Sequence, residues 1–83
     1  MRNITPANVD IKTKNLLILS NDSGTYIVPL MEVTLIGLRS ANTLHIVVET
    51  RRDNYIVSGE EKELQELFER LRDLISGFFS QGA

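Results

Sequence analysis

The sequence predicts an α+β domain: a curved antiparallel sheet or partial barrel of about five strands, with one C-terminal amphipathic helix. Three observations lead there. β-Branched and apolar residues gather in short runs between residues 9 and 57, and Asn, Asp, Ser and Gly punctuate them. Leu64, Leu67, Phe68, Leu71, Leu74, Ile75 and Phe78 then form one stripe at helical spacing. Finally, 83 residues with 42% hydrophobic side chains support one modest core and a single domain.

The elements follow in order. Residues 1–8 hold Pro6 and several polar groups and read as an N-terminal arm. Residues 9–79 form the domain, and 80–83 a tail. Val9, Ile11 and Thr13 alternate with Asp10, Lys12 and Lys14, and Leu16–Leu19 continues the run. Residues 9–20 therefore read as one strand, bent near Lys14-Asn15. Asn21-Asp22-Ser23-Gly24 is a turn, because Asn and Asp bond their own backbone and Gly24 can supply positive φ. Thr25–Val28 should pair back as a hairpin. Pro29 lacks a donor and marks a strand end, edge or bulge. Leu30–Leu38 is the next apolar stretch, with a bulge expected at Gly37, and Arg39–Asn42 makes the connection. Thr43–Thr50 is the clearest strand; Arg51–Asn54 turns the chain and Tyr55–Val57 returns it.

The helix has its own start signals. Ser58 and Glu61 match a capping box, and Glu60, Glu61 and Glu63 suit the positive end of the dipole. Glu66 and Arg70 stand four apart in the favourable orientation. Gly77 is expected to close the helix in the left-handed conformation. One helix covers one sheet face, yet Leu30–Leu38 and Leu16–Leu19 are apolar at both parities, and Val47 opposes Ile46 and Val48. The uncovered face must curl into a barrel or meet another molecule.

Composition excludes several function classes. Cysteine is absent, which removes disulfides, thiolate metal sites and cysteine nucleophiles and points to a reducing, cytoplasmic setting. Residues 1–6 lack the apolar core of a signal peptide, and the longest uncharged stretch, 74–83, is too short to span a bilayer. The net charge is −2, a poor basis for non-specific nucleic-acid binding, so no nucleic acid is expected. Residues 1–52 hold six basic and four acidic side chains, leaving room for one small anionic ligand.

Candidate sites are few. No nucleophile elbow or metal-ligand cluster appears, so no catalytic, cofactor or metal residue is assigned. His45, the single histidine, reads as a hydrogen-bonded strand residue, with a pH-sensitive contact as the sharper reading. The helix carboxylates cap and solvate the helix. Lys12, Lys14, Arg39, Arg51 and Arg52 are the candidates for an anion or lipid contact. Val47, Phe78 and Phe79 are the candidates for an oligomer contact, since aromatics dominate such surfaces. A homo-oligomer, most simply a dimer, is expected; a protein partner is the other possibility, with membrane lipid behind both.

Four segments together resemble a GRAM or pleckstrin-homology-like domain, the bacterial ones included. Ile11–Ser20 is similar to the GRAM opening, in which a Thr precedes a basic-polar pair and a strand. Tyr26-Ile27-Val28-Pro29-Leu30 with Val33 and Ile36 resembles its strand, Pro-Leu and spaced aliphatics. Leu44–Val48 with Tyr55–Val57 looks like the final hairpin, and Leu64–Ile75 like the helix that plugs the barrel. The resemblance covers residues 11–75 and implies a bacterial or phage-related, non-enzymatic interaction or self-assembly module. Phosphoinositide-binding members carry a basic run in the first hairpin. Here that hairpin holds only Lys12 and Lys14, which ranks lipid-headgroup binding second.

Overall fold

The parity of the apolar residues decides which sheet faces meet. The structure, a computed structural model, describes residues 2–11 and 15–81, with side chains as far as Phe78. Seven strands appear among these residues: β1 (Arg2–Ile4), β2 (Val9–Asp10), β3 (Leu16–Asn21), β4 (Gly24–Pro29), β5 (Val33–Ser40), β6 (Leu44–Thr50) and β7 (Asn54–Ser58). They form two sheets, one ordered β1-β7-β6-β5 and the other β2-β3-β4, and neither is a closed barrel. Only β1 runs parallel to its neighbour, β7. Helix α1 (Glu61–Gln81) follows and packs over β5 and β6. It is not long and apolar enough to cross a membrane.

Register assigns the faces. Ile36 pairs with Val48 and Leu38 with Ile46, and those two pair onward with Tyr55 and Val57. That inner face of the larger sheet meets Leu17, Leu19 and Val28 of the smaller sheet and Leu64, Leu67 and Leu71 of α1 in one core. Fully burying a residue such as Leu71 stabilises by about 1.5–3 kcal/mol. The five expected runs are β3 to β7; β1 and β2 are additional.

Several local expectations are corrected. The N-terminal arm expected over residues 1–8 is instead part of the fold from residue 2: β1 adds to the larger sheet and Ile4 is buried. Residues 9–20 are not one bent strand, because β2 folds back on β3, with Val9 opposite Leu19. A continuous strand would overrun β4 and leave the backbone of residues 9 and 10 unpaired. In the next turn, Asn21 Oδ1 accepts the N–H groups of Ser23 and Gly24 at 2.8 and 3.1 Å. Gly24 takes the expected positive φ, at 158°, so the turn rests on both Asn21 and Gly24. The β5 irregularity falls at Thr34, whose hydroxyl bonds the Glu49 carbonyl at 3.1 Å, while Gly37 pairs regularly with Val47.

Both ends proposed for the helix also shift. Ser58 is held in the β7 ladder opposite His45 and does not cap α1; the first turn closes through Leu64 N–H to the Glu60 carbonyl at 3.0 Å. Gly59 makes the sharp passage from β7 to α1, and a Cβ there would lie 2.8 Å from Pro6 Cδ and Cγ. Gly77 does not end the helix. Phe78 packs on the core one residue later, and that burial outweighs the roughly 1 kcal/mol cost of an exposed helical glycine.

Candidate interaction surface

Among the described residues, Arg39 does not converge with Arg51 and Arg52. Lys12 and Lys14 lie outside the described residues. Arg39 is exposed at one end of the β5–β6 hairpin, opposite His45. Arg51 and Arg52 occupy the turn after Thr50, which lies opposite Val33 at the other end. The intervening length of β6 is about 17 Å. Arg52 is also 3.7 Å from Glu32, so its charge is partly met within the chain. The turn itself is held by Thr50, whose Oγ1 donates to the Asp53 carbonyl at 2.7 Å and accepts from Arg52 and Asp53 N–H.

A polar cluster that local sequence did not reveal lies where the sheets meet. The Arg2 guanidinium stands 4.6 Å over the Tyr26 ring and 3.4 Å from Asp53 Oδ2. Tyr26 and Tyr55 pack with ring centroids 5.8 Å apart. Burial pushes the Tyr55 phenol above its ordinary value, with Asp53 reinforcing the shift and Arg2 opposing it. Arg2 and Asp53 answer one another here, so the cluster pins β1 to the smaller sheet and leaves little net charge for a ligand. Its only clue in the sequence was the long-range pairing of Arg2 with Tyr55, which needs the fold.

His45 is half-buried, and its Nδ1 lies 3.1 Å from the Thr43 carbonyl. A carbonyl only accepts, so Nδ1 carries the proton. Glu60, Glu61, Glu63, Glu66, Glu69 and Asp73 are all exposed, and among the described residues no group of three His, Asp or Glu is placed to hold a metal.

The apolar candidates fare differently from one another. Val47 is only 7% exposed, flanked by Gly37 and Ile56 on the outer face of the larger sheet, and offers a partner little area. Phe78 is half-buried against the core, and the Phe79 side chain lies outside the described residues. Among the described residues, the large apolar side chains left exposed are Ile27 at 63%, Met31 at 72% and Leu35 at 39%. Ile27 sits on the outer face of the smaller sheet opposite Ile18, next to the Leu16–Pro29 pair. Leu35 sits on β5, which has no neighbouring strand on its second edge among the described residues. Beside that edge a groove of about 270 Å³ runs between β5 and α1, lined in part by Val33, Ile36, Phe68, Arg72 and Ile75. The doubled apolar parity of Leu30–Leu38 was the signal for this surface, but register had to say which parity stays outside.

No family model matches the chain, and no curated protein or solved structure matches it.

Proposed function

We propose that this chain is a non-enzymatic interaction domain that assembles with further copies of itself, in the manner of a pleckstrin-homology or GRAM-like module. The observation that carries the reading is the eight-residue β5 edge, which pairs with no strand on one side among the described residues and is bordered by exposed Leu35 and the apolar groove. Natural sheets protect such edges with short strands, prolines, charged side chains, β-bulges or cover. β1 and β2 are short and β4 ends in Pro29, whereas β5 has neither lysine nor proline, and its irregularity at Thr34 and its charge at Arg39 flank an unguarded stretch from Leu35 to Leu38. A cytoplasmic setting belongs to the same reading, on the absence of cysteine.

The second reading is a membrane-surface or lipid-headgroup domain. The separation of Arg39 from Arg51 and Arg52 speaks against it. Multi-angle light scattering tests the first reading, with a mass expected to rise toward twice 9.4 kDa at micromolar concentration. A monomer that sediments with anionic liposomes would replace it with the second.

A further inference from the structure

We propose that the partner is a second copy of this chain, joined edge to edge through antiparallel β5 strands across a two-fold axis at Gly37. The inference rests on the self-assembly reading and specifies its surface. Antiparallel strands related by a two-fold axis normal to the sheet place the same faces on the same side. With Gly37 on the axis, Ile36 lies opposite the partner's Leu38 and Leu35 opposite the partner's Arg39.

Charge selects this register over its neighbours. Within one chain Leu35 pairs with Glu49, on the outer face that also carries Arg39. Neither Arg39 nor Glu49 is in an ion pair among the described residues. The Gly37 register aligns Arg39 with Leu35 and then Glu49 of the second copy in one cross-strand row, and the symmetry repeats the row. Two strand spacings separate the charges at the backbone, about 10 Å, which the two long side chains can span over the leucine. A centre at Ile36 would instead aim Arg39 at the row of Thr50, and one at Leu38 at the row of Val47.

Apolar packing agrees with the charges. On the inner face the row becomes Val48, Ile36, then Leu38 and Ile46 of the second copy, with no polar residue among them. Helix α1 packs over both β5 and β6. The two-fold axis therefore keeps both helices on the same face of the joined sheet, on either side of the new seam. Phe68 and Ile75, which line the open groove, then face the second copy. Leu35, 39% exposed, is covered by the stem of the partner's Arg39. The regular pairing is short, because the Thr34 irregularity ends it on one side. The contact belongs at the small end of interface sizes, so a micromolar dissociation constant is expected.

Charge exchange tests the register. Arg39→Glu and Glu49→Lys, each alone, should raise the dimer dissociation constant about tenfold or more, by light scattering over a concentration series. The double variant Arg39→Glu/Glu49→Lys should return it to near the wild-type value. Arg39 and Glu49 are not neighbours within one chain, so a purely intramolecular role would not produce this rescue. Thermal unfolding confirms that each variant is folded. A dimer indifferent to both single changes, or not rescued in the double, overturns the β5 pairing and leaves self-assembly standing. Loss of the dimer in Ile27→Lys but not in Arg39→Glu moves the contact to the smaller sheet. A wild-type monomer at millimolar concentration overturns both the β5 pairing and self-assembly.

Discussion

Leu71 is 1% exposed and lies mid-stripe on α1, in the same core as Ile46, Val48 and Leu64. Leu71→Ala removes buried methyl groups from the core and leaves a cavity there. The expected cost is about 2–5 kcal/mol, read as a lowered urea midpoint with unchanged slope. An unchanged midpoint would mean the helix does not cover the sheet. Tyr55 gives a pH signature. Its phenol is raised from the ordinary value of 10.0, so the folded state holds this proton more tightly than the unfolded state. Its stabilising contribution is complete below pH 10.0 and falls as pH rises through the folded value. Wild type should therefore lose stability relative to Tyr55→Phe on going above that pH, and a constant difference would contradict the assignment.

At the scale of elements, the passage from β7 to α1 is the tightest joint. A Cβ on Gly59 would press on the Pro6 ring, which cannot swing aside as a flexible chain end could. Gly59→Ala should cost about 1–3 kcal/mol through displacement of the Pro6–Asn8 turn. Ser58→Ala, at an exposed residue with no capping role, should stay within about 0.5 kcal/mol. Equal effects of the two would restore Ser58 as the cap. The contrast shows what local sequence could carry. The α1 stripe and the Leu44–Thr50 strand were legible because their periodicities are complete within a few residues. β1 was not, since Arg2-Asn3-Ile4 becomes a strand only when β7 lies beside it. Ser58 matched a capping spacing but is claimed by the β7 ladder. Val47 was named as a contact candidate, and Leu35 only as part of the Leu30–Leu38 apolar stretch. Register buries the first between Gly37 and Ile56 and leaves the second on an open edge.

For the whole molecule, two small sheets and one helix share a single core. The architecture settles the inner faces and, among the described residues, leaves the outer edge of β5 without a neighbouring strand. That edge, rather than a pocket of reactive groups, organises the functional reading. A second copy would satisfy the β5 backbone, extend the sheet and cover the groove beside Phe68 and Ile75 in one step. Amide hydrogen exchange, resolved by residue and compared at low and high protein concentration, tests this most directly. If β5 pairs with its copy, alternate amides between Leu35 and Arg39, those pointing away from β6, gain protection as concentration rises. The amides of β4 stay unchanged. Protection in β5 that does not depend on concentration, or that rises in β4 instead, would contradict assembly through this edge.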